Sequence, residues 1–246
     1  KSKAQLKKEL TDVSRQVLED MVENADGRQF VIPLSAGNDS RFIASGLKEL
    51  GVKNVFCFSY GLENNFEVKT AGQVAKHLGY SWTHIPLSVE IQKKIFSESS
   101  FDDFWRYTDT FSNSPVLIDY SAVKILKESG KISKEAIFVN GNSGDFITGG
   151  HVNPDIQSNY NIGIDGLINL ITEKHYSLWN CLKSTDNIEK IQVELEREIT
   201  NLINNYGLSK TSFAEIGENI EWKGRQSKIV TATQRSYEFF GYEWRL

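Results

Sequence analysis

The sequence is poor in cysteine and histidine, which limits the metal and redox chemistry that it can support. It has 2 cysteines and 4 histidines in 246 residues. Cys57 lies in the apolar run Val55–Phe58, and Cys181 follows Asn180. Because two isolated cysteines do not form a zinc site, we expect two reduced structural thiols and a cytoplasmic protein. The histidines show no spacing typical of metal ligands; they are His77, His84, His151 and His175.

Long apolar runs and an excess of basic charge are also absent. No run approaches the roughly 20 apolar residues that a membrane-spanning helix needs. The net charge is −4, whereas proteins that bind the phosphate backbone of nucleic acids usually carry a basic surface. The opening Lys1-Ser2-Lys3 leads into an amphipathic stretch rather than the apolar centre of a signal peptide. We therefore expect neither a membrane nor a nucleic acid as a partner.

Two well-known nucleotide-binding motifs are missing from the sequence. Neither the P-loop G-x-x-x-x-G-K-[ST] nor the dinucleotide fingerprint G-x-G-x-x-G occurs anywhere in the chain. A nucleotide bound by this protein would therefore need its phosphates to be held by a different kind of loop.

The first 140 residues contain short apolar segments that alternate with helical patterns. Strands are predicted at 30–34, 55–60, 82–86 and 136–140. Helices are predicted at 3–24, 40–50, 66–78, 88–98 and 116–128. This alternation indicates an α/β fold, a doubly wound parallel sheet with helices on both faces.

After about residue 160 the strands disappear and only helical patterns follow. These patterns cover residues 162–175, 187–204, 211–221 and 225–240, and the polar tract 151–161 indicates a loop before them. We therefore predict a linker helix at 1–27, an α/β core at 28–160 and a helical part at 161–246.

The first candidate site is the small, polar segment Ser35-Ala36-Gly37-Asn38-Asp39-Ser40, between the first strand and the next helix. Small residues allow backbone N–H groups to converge on an anion, and a helix N-terminus adds partial positive charge there. The Ser35 and Ser40 hydroxyls can donate to phosphate oxygens, whereas Asp39 fits beside phosphates if it holds a bridging Mg²⁺. The alternative is a capped helix with Asn38 or Asp39 as its N-cap.

The second candidate site is the segment Asn140–His151, which follows the fourth predicted strand and has the sequence N-G-N-S-G-D-F-I-T-G-G-H. Small residues at a strand end let a flat base approach the backbone, and Asp145 can supply a second carboxylate to a metal. The alternative is a glycine-rich turn with Asp145 capping the next helix. Both candidate sites lie at strand C-termini, where parallel sheets bind ligands, so their combination favours function.

Together these segments resemble the C-terminal domain of the asparagine synthetase and β-lactam synthetase family, which belongs to the N-type ATP pyrophosphatases. The first segment is similar to the family's S-G-G-x-D-S loop, with Ala36 in place of a glycine, and Ala36 needs an ordinary backbone conformation there. The second is similar to S-G-E-G-x-D-E-x-F-G-G-Y. Weaker similarities at Phe58–Gly61, Phe66–Gly79 and Ser236–Leu246 extend the resemblance over most of the chain.

The resemblance implies a Rossmann-like, adenine nucleotide alpha hydrolase-like fold and an ATP-dependent, AMP-forming ligase that adenylates a carboxylate and amidates it. It implies ATP and Mg²⁺ as cofactors, with Asp39 and Asp145 as the catalytic and metal-binding residues. The implied ATP-binding residues are Leu34, Ser35, Gly37, Asn38, Asp39, Ser40, Tyr60, Asn140 and Gly141. The partners that it implies are a small carboxylate substrate and an ammonia or amine donor.

Several departures limit what the resemblance implies. Asn142 stands in place of the S-G-E-G glutamate, and Phe146 in place of the glutamate after the aspartate. Asparagine can neither act as a base nor bind a metal as an anion, so the acceptor carboxylate stays undefined. The family's glutaminase domain begins with a nucleophilic cysteine, whereas this chain begins with Lys1. Nitrogen would come from free ammonia, from an amino group of the substrate, or from a glutaminase domain or partner. The family domain also extends past the position of Leu246, so we expect the helical part to be truncated.

Two other functions remain open. A non-catalytic nucleotide-binding relative is favoured by Ala36, Asn142 and Phe146. A thiolating ATP pyrophosphatase is disfavoured, because it needs a reactive cysteine and usually a basic face. The roles of two side chains remain open. His151 is a candidate lining residue of the site, and Arg41 reaches either phosphate or solvent. A group of aromatic residues forms either core or a substrate wall; it comprises Phe101, Phe104, Trp105, Tyr107 and Phe111.

Overall fold

The computed structural model of the chain describes residues 1–110, 113–158, 162–177, 180, 183–207 and 213–246. These residues form two compact units. The sheet unit comprises residues 1–144 and 229–246, and the helical unit comprises residues 145–228. These limits differ from those of the segments predicted at 1–27, 28–160 and 161–246, because residues 229–246 return to the sheet. Cys181 and Phe111 lie outside the described residues.

The sheet unit is built on five parallel strands. They are β1 (Phe30–Pro33), β2 (Val55–Gly61), β3 (Ser81–Pro86), β4 (Ile137–Val139) and β5 (Glu243–Arg245). Their order across the sheet is β3-β2-β1-β4-β5. The chain moves outward from β1 to β3 and then crosses to β4 on the other side of β1. The predicted doubly wound α/β fold is thereby confirmed, and its topological switch point lies between β1 and β4.

Helices cover both faces of this sheet because alternate strand residues are apolar on opposite sides. Phe30 and Ile32 belong to a core on one face, whereas Val31, between them, belongs to a core on the other. The helices that precede the helical unit are α1 (Lys3–Glu23), α2 (Asn38–Glu49), α3 (Phe66–Leu78), α4 (Val89–Phe96), α5 (Ser99–Thr108) and α6 (Tyr120–Glu128). Helix α3 ends at Gly79, whose φ of 72° is the left-handed conformation of a C-terminal glycine, as the sequence predicts.

The C-terminal part of the chain is mostly helical, as expected. Its helices are α7 (Gly144–Ile147), α8 (Pro154–Ser158), α9 (Gly163–Tyr176), α10 (Thr185–Tyr206), α11 (Phe213–Glu221) and α12 (Ser227–Phe239). A single π-helical segment, Trp222–Gln226, separates α11 from α12. The core of the helical unit contains Leu167, Ile199 and Ile216. No helix in the described part of the chain is both long and apolar enough to cross a membrane.

Two local predictions were wrong, and one helix was missed. The strands do not disappear after residue 160, because β5 pairs with β4 in parallel at the sheet edge. Its charged–apolar–charged alternation covers only three residues, which is too short to predict a strand, so pairing with the open edge of β4 decides the conformation. Helix α5 was not predicted as a helix, although Phe104 is fully buried on it. The tract 151–161 contains α8, because Pro154 begins a helix there; proline suits the first helical turn.

Candidate functional site

A cleft in the sheet unit lies at the carboxyl ends of β1, β2 and β4, which is the switch point of the sheet. It encloses about 240 Å³ of solvent space, far more than a single water molecule or ion requires. Seven of the predicted ATP-binding residues line it: Ser35, Gly37, Asp39, Ser40, Tyr60, Asn140 and Gly141. The fold therefore gathers residues from positions 35 to 141 around one opening.

The segment after β1 is held in shape by its own serines. The backbone N–H of Ser35 donates to Oγ of Ser40 at 3.1 Å, and the N–H of Gly37 donates to Oγ of Ser35 at 3.0 Å. The two hydroxyl oxygens are 3.1 Å apart, so one hydroxyl donates to the other. Because each hydroxyl has one proton, the second proton of the pair points away from this contact.

Helix α2 begins at this segment without a side-chain cap. Gly37 is the N-cap residue and makes no capping hydrogen bond, so the alternative of Asn38 or Asp39 as the N-cap is wrong. The backbone N–H groups of the first turn and the helix dipole therefore favour an anion at this end. Arg41 turns back onto the segment, where its guanidinium donates to the Gly37 carbonyl at 3.0 Å and to Oδ1 of Asn38 at 2.6 Å.

Ala36, in the segment after β1, has an ordinary backbone conformation. Within the described residues, positive φ angles occur outside glycine only at Asp26 and Asn64. The condition that the sequence set for an alanine at position 36 is therefore met, and the loop needs no strain to accommodate it.

The two candidate segments meet at Asp39. A Cβ atom on Gly141 would lie 2.5 Å from Cβ of Asp39 and 3.0 Å from its backbone carbon. A Cβ atom on Gly144 would lie 2.4 Å from Cγ of Asp39. Only glycine allows the second segment to approach so closely, which explains the small residues at these two positions.

Helix α12 supports the second segment from the C-terminal end of the chain. Asn140 donates through Nδ2 to Oε1 of Gln234 at 2.7 Å, and both side chains are buried. Asn142 donates through Nδ2 to Oγ1 of Thr233 at 2.9 Å, and its backbone N–H donates to Oδ1 of Asn140 at 3.2 Å. The amide of Asn142 is therefore engaged in holding the segment against α12.

A buried carboxylate forms another part of the cleft. Asp119 accepts hydrogen bonds from the hydroxyl of Tyr60 at 2.6 Å and from that of Tyr237 at 2.7 Å. Burial raises the pKa of Asp119 above its ordinary value, although both hydrogen bonds act in the opposite direction. The same burial and the nearby carboxylate raise the pKa of Tyr60 and of Tyr237, so both phenols stay protonated and act as donors.

Three predicted site residues lie outside the cleft lining. Leu34 is buried in the core, and its carbonyl accepts from the Ser59 hydroxyl at 2.6 Å. Asn38 is exposed and holds Arg41. Asp145 is exposed and directly follows Gly144 in α7, where the chain enters the helical unit. The pairing of Asp39 with Asp145 as metal ligands stays a prediction.

Several residues that line the cleft were not predicted as site residues. These are Pro33, Ile118, Asp119, Thr233 and Tyr237. Thr233 and Tyr237 are four residues apart and share one face of α12, which is a pattern found in any helix. Asp119 comes from the turn before α6, where an acidic residue is unremarkable. Tertiary packing alone brings these residues to the strand ends.

The described residues contain no group of three or more His, Cys, Asp or Glu side chains that could hold a metal ion. A Mg²⁺ ion at Asp39 would consequently take most of its oxygen ligands from phosphate and water. Such a ligand set is usual for Mg²⁺, which binds through one or two carboxylates together with substrate phosphates. The carboxylate at Asp39, beside the α2 N-terminus, fits that requirement.

Comparison with family models and with curated protein sequences gives no match. Among solved structures, the chain is similar to the NH3-dependent NAD synthetase from Campylobacter jejuni subsp. jejuni NCTC 11168 in complex with the nitrate ion. The alignment covers 92% of this chain and 95% of the synthetase chain, with 18% sequence identity and a TM-score of 0.39. At this degree of similarity, the synthetase establishes neither a family nor an activity for this chain.

A second polar cluster lies inside the helical unit. Glu221, only 6% exposed, accepts hydrogen bonds from Lys174 and from Nε2 of His175. His151 accepts at Nδ1 from the guanidinium of Arg225. The adjoining cavity has about 10 Å³, room for about one water molecule, so it is not a ligand site. His151 lines this cavity.

Two of the aromatic residues whose role was open belong to the core. Phe101 and Phe104 pack with Tyr120 in an aromatic core cluster, whereas Trp105 and Tyr107 are exposed.

Cys57 is fully buried in β2, and burial raises the pKa of its thiol to about 12. A thiol of that pKa is not ionised near neutral pH and is a poor nucleophile.

Proposed function

We propose that this protein is an ATP-dependent, AMP-forming ligase of the asparagine-synthetase type, which adenylates a carboxylate and transfers it to an amine. The observation that carries the proposal is the meeting of two strand-end segments at Asp39, beside the uncapped N-terminus of α2. This meeting supports the proposal because a helix N-terminus, which favours anions, and a carboxylate, which suits Mg²⁺, both line one cleft at the switch point of the sheet.

In this proposal the substrate carboxylate attacks the α-phosphorus of ATP. The bond between the α-phosphorus and the bridging oxygen breaks, and pyrophosphate leaves with the electron pair. The amine then attacks the acyl carbon of the adenylate, AMP leaves, and the amine loses a proton. The chain contributes by positioning the reactants and stabilising charge on the leaving pyrophosphate.

The residues of the first segment fit the pyrophosphate. The first-turn N–H groups of α2 can donate to its oxygens. The Ser35 and Ser40 hydroxyls share one hydrogen bond, so one of the two still has a proton to donate to the pyrophosphate. Asp39, with Asp145 as the proposed second ligand, would hold Mg²⁺, which supplies positive charge to the phosphates. Tyr60, Asn140 and Gly141 would surround the nucleoside.

The acceptor of this ligase is proposed to differ from aspartate. The amide of Asn142 donates to Thr233, and the ring of Phe146 packs against that of Trp222 in a tilted arrangement with 5.6 Å between ring centres. Neither position offers the carboxylate that the asparagine synthetases have. Cys57 counts against the thiolating alternative, since its thiol is buried and protonated. Asn142 and Phe146, which lack a carboxylate, also support a second candidate function, that of a non-catalytic nucleotide-binding protein.

The test is calorimetry of ATP binding with and without Mg²⁺, followed by assays of pyrophosphate release with a panel of carboxylates. The ligase requires Mg²⁺-dependent binding and release with at least one carboxylate. Binding without release from any carboxylate would favour the non-catalytic protein. No binding at millimolar ATP would contradict both functions.

The Asp39→Asn variant sharpens this test. It keeps the size of the side chain but removes the charge that would hold Mg²⁺, so we expect pyrophosphate release to fall roughly 100-fold or more with an unchanged circular dichroism spectrum. Asp102→Asn is the matched control, because Asp102 is an exposed aspartate in the first turn of α5 and outside the cleft. Equal activity of the two variants would contradict the role of Asp39.

A further inference from the structure

Helix α1 carries a second apolar face that the sheet unit does not cover. Leu6, Leu10, Val13 and Val17 form what we call the α1 stripe, and each is between 53% and 61% exposed. Their spacing of four, three and four residues places them along one side of a helix. Four exposed aliphatic side chains in a continuous row are a candidate interaction surface.

Another face of α1 is already packed within the sheet unit. Leu18 is buried against α2, so closely that a Cβ atom on Gly46 would lie 2.3 Å from Cδ1 of Leu18. Met21 and Val22 also pack against the core on this side. Since a helix turns by about 100° per residue, this buried face and the α1 stripe point in directions roughly 100° apart. The stripe is therefore not required for packing α1 onto its own unit.

The two ends of α1 carry opposite charge, so two copies of the helix are complementary when they run in opposite directions. Residues 1–8 contain four lysines and no acidic residue, whereas residues 9–23 contain five acidic residues and one arginine. Two such helices side by side in the same direction would place like charges together. Side by side in opposite directions, the basic start of each would face the acidic end of the other.

The stripe and the charges agree on one register. In an antiparallel pair with Leu6 facing Val17 of the other copy, Leu10 faces Val13. The same row continues outward to Lys3, which then faces Asp20, so an ion pair closes each end of the apolar contact. A parallel pair would instead put Lys3 against Lys3 and Asp20 against Asp20.

We propose that the α1 stripe is a self-association surface, through which two copies of this chain pair α1 with α1 in antiparallel orientation. The contact is only about two heptads long, which is too short to hold isolated peptides together. Helix α1 is, however, held in its conformation by the sheet unit, so the entropy of helix formation is not lost on pairing. A weak, concentration-dependent dimer is the expected result.

Sedimentation velocity of the whole chain over a series of concentrations tests this proposal. We expect the mass to rise toward twice that of the monomer, and the Leu10→Gln/Val13→Gln variant to stay monomeric. Val193→Gln is a matched control, because Val193 is an equally exposed valine on α10. A monomer at every concentration, or a dimer that persists in the double variant, would overturn the proposal.

Charge reversal tests the orientation separately. Lys3→Glu and Asp20→Lys should each weaken dimerisation, since each places like charges at both ends of the antiparallel contact. The Lys3→Glu/Asp20→Lys double variant should restore the original association, because the ion pairs re-form with reversed signs. Single variants that associate as well as the original chain, or a double variant that fails to recover, would contradict the antiparallel register. Circular dichroism checks that every variant keeps its helical content.

Discussion

The two compact units each enclose a carboxylate, but they surround it with different partners. In the sheet unit, Asp119 is held by the neutral hydroxyls of Tyr60 and Tyr237. In the helical unit, Glu221 is held by Lys174 and His175. Burial raises the pKa of Asp119 despite its hydrogen bonds. Burial also raises the pKa of Glu221, but its bonds and the charges of its partners outweigh that effect and lower it to about 2.

The comparison shows that neutral hydrogen-bond donors and cationic partners differ in how well they stabilise a buried carboxylate. Two phenol donors do not compensate for the water that Asp119 loses, whereas cationic partners overcompensate at Glu221. The ionised form of Glu221 is therefore favoured in the folded helical unit. Asp119 is held at the floor of a cleft at some cost, a pattern common at functional sites.

The largest expected effect is from removing Glu221. Glu221→Ala leaves Lys174 and His175 without their partner, and we expect the helical unit to lose about 3 kcal/mol of unfolding free energy. Chemical denaturation monitored by circular dichroism measures this loss. Glu198→Ala is the control, because Glu198 forms an exposed ion pair with Lys223, which is worth less than about 1 kcal/mol. Equal losses in the two variants would remove the distinction that we draw for Glu221.

The contribution of Glu221 should also depend on pH in a defined direction. Because its pKa is lower in the folded than in the unfolded chain, its stabilisation is present above pH about 4.5 and is lost as the pH falls towards 2. The Glu221→Ala variant should lack this acid-side loss.

An intermediate effect is expected at the meeting of the two segments in the sheet unit. The added Cβ of Gly141→Ala would displace Asp39 and its backbone, so we expect a loss of about 1–3 kcal/mol, seen as ATP affinity reduced about 5-fold to 150-fold. Calorimetry with ATP and Mg²⁺ measures the change. Gly224→Ala is the control, since a Cβ there meets nothing within 4 Å. Unchanged affinity in the Gly141 variant would show that ATP does not depend on this contact.

The smallest expected effect is that of Asp119→Asn on the pH dependence of the unfolding free energy. Its pKa is raised in the folded state, so the folded chain holds this proton more tightly than the unfolded chain. The unfolding free energy should therefore fall as the pH rises from about 3.8 through the folded-state pKa. Asp119→Asn cannot ionise and should flatten that fall. Denaturation midpoints measured from pH 4 to 8 test this, and an unaltered slope would contradict the ionisation of Asp119.

Much of the fold could be predicted because parallel strands and amphipathic helices leave local signals. The run around Val31 and the glycine at 79 mark a buried strand and a helix end wherever they occur. The segment from Ser35 to Ser40 was recognisable for the same reason, since its small residues suit a strand-to-helix turn. Strand β5 left no such signal, because its residues form a strand only beside β4.

The sequence by itself determined the alternation of strands and helices and the two strand-end segments, since both depend on residues that are neighbours along the chain. Only the tertiary structure decided that Gly141 and Gly144 press against Asp39. It also decided that α12 returns to place Tyr237 beside Asp119, 118 residues away in the chain. These contacts depend on the order of strands in the sheet and on how closely two backbones can approach. Neither can be predicted from a local pattern of residues.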